Sequence, residues 1–302
     1  MFQSGADIAF SNASGEVSLV FFTALAPASA IAFVIMVLAL AFGGLEYQRA
    51  YRLGKTLGVP LVLCMVGLVA SATHLGNPSN ALYVVSRVGA SPLSNEVASA
   101  AVFLVAAALS WMITFAERKH PVLRKALALV TAAAGVLFMS ACGFAYNVST
   151  IETWNTPTTP ASIILGGFVV GPLLALGCFL HAEFCRKENV LCRVLVGVSF
   201  SCAVGLMAVY AFVWGNLPYV GNELYQAAEL VPRYGAMLAG TGALLTAAFA
   251  IVGAQVFTHC GVGASARTLS WRVFGACALA FGGLFVMRFA FYLSHLTVGM
   301  SL

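Results

Sequence analysis

The sequence predicts an all-α integral membrane protein, an eight-transmembrane-helix bundle. Three observations predict it. The composition is 61% hydrophobic and 8% charged, with a mean hydropathy of +0.95. Soluble domains carry about 25% charged residues, so a water-soluble fold would lack the polar atoms to cover its surface. The apolar runs are long and continuous, whereas a transmembrane barrel would show segments of about 10 residues with alternating polarity. The basic residues collect in alternate links between those runs.

Residues 1–16 carry Asp7 and Glu16 but no Lys or Arg. A secretory signal begins with a basic region, so this stretch reads as a retained segment outside the cytoplasm. The spans then fall at about 17–43, 58–75, 95–115, 124–146, 162–184, 192–214, 234–258 and 272–296. Each is long enough to cross about 30 Å at about 1.5 Å per residue. Together they make residues 1–302 a single transmembrane domain.

Charge predicts the orientation. Of 15 Lys and Arg, 12 lie in the links after spans one, three, five and seven. Basic links stay cytoplasmic, which places both termini and the links 76–94, 147–161 and 215–233 on the outer side. The same placement explains the net charge of +5 as topology, with no nucleic-acid partner. The eight cysteines form no C-x-x-C pair, so they read as small apolar side chains, and no metal site is expected. A faint repeat links His74-Leu75-Gly76-Asn77-Pro78 with Trp214-Gly215-Asn216-Leu217-Pro218, each closing the second span of a four-span half.

The stretch from His74 to Glu96 carries the candidate chemistry. A link between two spans needs only turn residues. This one places His74 at the end of span two, Glu96 at the start of span three and Arg87 between them. Oxidation of a quinol releases two electrons and two protons. Its site needs an apolar slot, hydrogen-bonding groups at the ring oxygens and a proton acceptor. His74 suits an oxygen near neutral pH. Glu96 suits the proton, near a helix N-terminus that favours an anion, with Ser94 and Asn95 as candidate caps. The plainer alternative is a helix-start acid and an interfacial histidine.

Arg288 lies within span eight, seven residues before His295. An ionisable group at that depth needs a partner, and Glu96 is a candidate, as is the quinone itself. His74 with His295, or His181 with His259, would give ligand pairs at matching depth. A b-haem quinol oxidoreductase therefore stands as an alternative, as does an ion-translocating or transport protein. Tyr146, Trp154, Trp214, Tyr219 and Tyr225 read as an interfacial aromatic belt, or as a docking surface for an extramembrane partner.

Two motifs carry a family resemblance. His74-Leu75-Gly76 followed by Arg87-Val88-Gly89-Ala90-Ser91-Pro92-Leu93-Ser94-Asn95-Glu96 resembles the membrane anchor subunit of anaerobic dimethyl sulfoxide reductase, the DmsC type. The run Arg288-Phe289-Ala290-Phe291-Tyr292, then His295 to Met300, resembles that family's C-terminal end. The resemblance implies a haem-free anchor in the bacterial inner membrane that binds and oxidises menaquinol at its outer face. It implies two partners docked there, an Fe–S electron-transfer subunit and a molybdopterin catalytic subunit that reduces an S- or N-oxide. Fe–S clusters and molybdopterin would belong to those partners. The family's quinol-site histidine and glutamate match His74 and Glu96. Arg288 matches a motif position that carries no assigned role. Arg87 lies in the same motif and is expected to contact the quinol.

Overall fold

A computed structural model describes residues 5–73, 84, 86–116, 120–184, 190–222, 224–256 and 265–297. The helices are α1 (Gly5–Gly15), α2 (Val17–Phe42), α3 (Tyr47–Thr56), α4 (Gly58–Thr73), α5 (Pro92–Met112), α6 (Pro121–Ala145), α7 (Thr158–His181), α8 (Val190–Asn216), α9 (Ala227–Leu230), α10 (Tyr234–Val256) and α11 (Ala266–Leu293). Eight apolar segments among the described residues are long enough to span a bilayer, with α3 and α4 together forming the second.

The spans match the expected ones in number and order, and their ends differ for local reasons. Span two begins at Tyr47, because YQRAYRLGKT is itself an amphipathic helix that runs into α4. Its face is held by Trp111, whose Nε1 donates to the Gly54 carbonyl at 3.0 Å. Span five begins at Thr158, with Pro160 in the first turn, where a missing N–H costs nothing. Span eight begins at Ala266, capped by Ser265, whose Oγ accepts from the Thr268 N–H at 3.2 Å. The N-terminal segment is helical: α1 packs on α11 and α9, with Phe10 edge-on to Phe289 at 6.0 Å.

The core is the crossing of α2 and α7, the two most buried spans. Each carries an internal proline, Pro27 and Pro172. Small residues let the backbones approach closely, as in many membrane helix pairs. A Cβ added at Gly171 would lie 2.7 Å from Ile31 Cγ2 and 2.8 Å from the Ala28 carbonyl oxygen. Gly171→Ala is therefore expected to destabilise the bundle by about 1–3 kcal/mol. Thermal unfolding of the detergent-solubilised chain would read this as a lowered midpoint, and an unchanged midpoint would contradict the packing.

The helices fall into two halves with one packing order. In the first, α2 packs on α4 and α6, and α5 packs on α6. In the second, α7 packs on α8 and α11, and α10 packs on α11. The halves meet through α2 and α7, flanked by α6 against α7 and α11 against α2. Within each half the third and fourth spans share a polar tie. Ser110 and Thr131 hydroxyls lie 2.8 Å apart, and Thr241 Oγ1 donates to the Gly283 carbonyl at 3.1 Å. The four-helix arrangement is thus repeated, while the first copy of the faint sequence repeat, residues 74–78, lies outside the described residues.

One end of the bundle holds the N-terminus of α5, the C-terminus of α11 and the link 146–157; it is called the upper end below. The link crosses the end of α11: the Glu152 N–H donates to the Leu296 carbonyl at 3.0 Å, and Ile151 bridges Thr297. The lower end carries most of the basic residues, including Arg52 paired with Glu183. The described cysteines form no disulfide.

Candidate functional site

Glu96 is the fifth residue of α5, about 6 Å below the start of the helix at about 1.5 Å per residue. The helix starts at Pro92, three residues earlier than expected, because proline is pre-organised for the first turn. Asn95 and Ser94 therefore sit inside the helix and do not cap it. Instead, Asn95 Oδ1 accepts from the Gly89 N–H at 2.6 Å. That bond holds a turn in which Gly89 takes φ +89°, a conformation costly for any other residue. The turn delivers the chain onto α5 so that Glu96 faces inward.

Glu96 is 3% exposed, far more buried than an interfacial helix acid. Its Oε1 has no hydrogen-bond partner among the described residues. The Cys142 thiol of α6 is its neighbour. Glu96 lines a cavity of about 480 Å³ whose walls come from all four spans of the first half. Leu19 and Phe22 come from α2, Leu68, Ser71 and Ala72 from α4, Ala100 and Leu104 from α5, and Tyr146 from the end of α6. The lining is otherwise almost wholly apolar. A ring-bearing lipophile would fit such a slot, with one carboxylate to orient it.

Tyr146 is shared with a second, more polar cavity of about 470 Å³ at the upper end. Glu16, Trp154, Tyr292 and His295 line that cavity, and Leu19 also borders both. Tyr146 and Leu19 thus stand between the Glu96 slot and the polar cavity at the bundle end. His295 sits with its ring 5.0 Å from Trp154. Burial lowers its pKa from the ordinary value.

Arg288 lies five residues from the end of α11 and is 1% exposed. The expected pairing with Glu96 does not form, since no carboxylate lies within 4 Å of the guanidinium among the described residues. Nε donates to Thr23 Oγ1 at 3.0 Å. The guanidinium stacks over Phe291 at 4.2 Å, with Tyr146 and Tyr292 at 5.7 and 5.8 Å. Cation–π contact of this desolvated kind is worth about 2 kcal/mol or more. Nη1 and Nη2 have no hydrogen-bond partner among the described residues. Tyr146 and Tyr292 lie within electrostatic reach of both Arg288 and Glu96. The two charged groups are therefore bridged by aromatic rings.

Arg87 is exposed in the turn before α5 and lines neither cavity. His74 and His259 lie outside the described residues. Tyr146 and Trp154 are part of the interior and not of a lipid-facing belt. Trp154 is 8% exposed, stacks on Phe291 at 4.5 Å and donates Nε1–H to the Phe291 carbonyl at 3.0 Å. Trp214 and Tyr219 are exposed, as a belt requires. Sequence reasoning does not find Thr23, Cys142 or the α2 wall. Their polarity is unremarkable for a span, and only the packing brings them to Glu96.

Residues 11–292 match the family model described as DMSO reductase anchor subunit (DmsC). The sequence is similar to the C subunit of anaerobic dimethyl sulfoxide reductase from Escherichia coli (strain K12), at 30% identity over 95% of this protein and 97% of the relative. It is 32% identical to the subunit of the same name from Haemophilus influenzae (strain ATCC 51907 / DSM 11121 / KW20 / Rd), over 74% of this protein and 78% of the relative. It is 28% identical to the YnfH subunit of anaerobic dimethyl sulfoxide reductase from Escherichia coli (strain K12), over 80% and 81% respectively.

Proposed function

The protein belongs to the DMSO reductase anchor subunit family, and from that premise we propose that it oxidises menaquinol in the Glu96 cavity and passes the electrons to an Fe–S partner subunit. The observation that carries the reading is a buried carboxylate, with an unspent oxygen, on the wall of an otherwise apolar slot. A structural role gives no reason to hold such a group there. A quinol hydroxyl supplies the missing hydrogen-bond donor.

In this reading the ring enters from the bilayer between α4 and α5 and seats against Phe22 and Ala100. Glu96 accepts a proton from one hydroxyl. His74 directly follows the α4 segment whose Ser71 and Ala72 line the slot; it holds the other ring oxygen and takes the second proton. Tyr146, Glu16 and His295 lead the protons to the upper end, which in this reading faces outward from the inner membrane, opposite the basic links. Arg288 holds a positive charge behind Tyr146 and favours the anion formed as the first proton leaves. Arg87, exposed on the turn above, steers the headgroup or meets the partner. Electrons leave at the same face, to the Fe–S subunit and then to a molybdopterin catalytic subunit that reduces an S- or N-oxide. No net charge crosses the membrane.

Filling the slot tests the reading. Ala101 lines the cavity from the exposed face of α5, so Ala101→Phe adds bulk without disturbing the core. Quinol-driven turnover of the assembled complex is expected to fall at least about 10-fold. Turnover driven by a reduced viologen dye, which feeds the catalytic subunit directly, is expected to hold. Equal quinol turnover in the variant would refute the site.

A further inference from the structure

The second half of the bundle contains a cavity of about 330 Å³ in the place that corresponds to the Glu96 slot. Its walls come from the matching helices. Thr159 and Ser162 lie on α7, Tyr210 on α8, Tyr234 at the start of α10, and Met287 and Phe291 on α11. The first cavity is built in the same order from α2, α4, the start of α5 and α6. Tyr234, the first residue of its half's third span, lines this cavity, as Glu96, the fifth residue of α5, lines the other.

The donors in this cavity are almost all spent. Thr159 donates to the Trp154 carbonyl at 2.8 Å, and Ser162 to the Thr159 carbonyl at 2.8 Å. Ser294 donates to the Phe291 carbonyl at 2.8 Å, and the Asn216 amide to the Phe212 carbonyl at 2.7 Å. Tyr210 is an exception. It is 4% exposed, lines the cavity, and its hydroxyl has no hydrogen-bond partner among the described residues. Tyr234 is its neighbour, also 4% exposed. A buried phenol left without a partner is costly, and a hydrocarbon chain in the cavity would leave it so. No carboxylate or cation lines the space among the described residues, so nothing there takes up a proton or pairs with a charged headgroup.

We propose that this second cavity binds a quinone in its oxidised form, with the Tyr210 hydroxyl donating to a ring carbonyl. The fit is to a neutral, flat, lipid-soluble molecule that only accepts hydrogen bonds. The volume lies at the lower end of the roughly 300–1,000 Å³ typical of small-molecule sites. The choice of a quinone among such molecules rests on the reading of the first cavity. The two rings would sit on either side of Arg288, which stacks on Phe291 toward the second cavity and lies near Tyr146 toward the first.

The test is photolabelling of the assembled complex in membranes with an azido-naphthoquinone, followed by peptide mapping. The expected result is label in two places, on residues 92–116 and on residues 190–216 or 234–256. Tyr210→Phe keeps the ring and removes only the donor. It is expected to weaken second-half labelling about 3–10-fold, the effect of one neutral hydrogen bond, and to leave the first-half label unchanged. Absence of second-half label in wild type would overturn the proposal. So would second-half label indifferent to Tyr210→Phe and Tyr234→Phe. Label in the second half alone would sink the Glu96 reading and leave this one standing.

Discussion

Glu96→Gln is expected to lower quinol-driven turnover by about 10²-fold or more, the scale of losing a positioned general base. The amide keeps the shape of the side chain and can still hydrogen-bond a ring oxygen, but it accepts no proton. Assembly and dye-driven turnover should therefore hold while quinol oxidation fails. Because Oε1 is buried without a partner among the described residues, the neutral amide also removes a desolvated carboxylate. The variant is expected to unfold at the same temperature as wild type or higher. A variant that loses stability along with turnover would instead mark Glu96 as a structural group. His74→Ala should reproduce the loss of turnover in part.

Arg288→Met is the second large effect. The guanidinium is 1% exposed and has no carboxylate within 4 Å among the described residues. The guanidinium has no counter-ion among the described residues, so its removal relieves a desolvation cost that offsets the lost stack on Phe291. Thermal unfolding should show a midpoint no lower than wild type. Quinol turnover should fall at least about 10-fold, because the charge that favours the anionic intermediate is gone. Arg288→Lys retains the charge and loses the planar stack on Phe291, so it should recover part of the turnover. If Arg288→Met unfolds the bundle, the residue is a structural pin on α2 through Thr23. An Arg288→Lys variant that recovers nothing would contradict a role for the charge.

The fold was legible because the bilayer imposes it. Twenty or so apolar residues between polar links admit few readings, and each of the eight expected spans has a helix. The ends were less legible. An amphipathic stretch such as Tyr47–Thr56 is rich in polar and charged side chains, and hydropathy alone reads it as a link. Pro92 and Pro160 look like breakers in sequence but sit in first turns. The site divides in the same way. Glu96 stood out because it opens span three at the end of a link that also carries His74 and Arg87. Its burial and its apolar slot did not, since Leu19 and Tyr146 approach it from remote positions in the sequence. The expected Arg288–Glu96 pair failed because two groups at one depth need not share a helix interface. Rings of Tyr146, Phe291 and Tyr292 fill the space beside Arg288.

The most direct measurement is a fluorescence-quenching titration of the assembled complex with a hydroxyquinoline N-oxide, a quinol mimic. Wild type, Glu96→Gln and Ala101→Phe would be compared. Saturable tight binding is expected in wild type, lost or weakened at least about 10-fold in both variants. Tight binding unchanged in both, with the complex intact, would contradict a quinol site at Glu96.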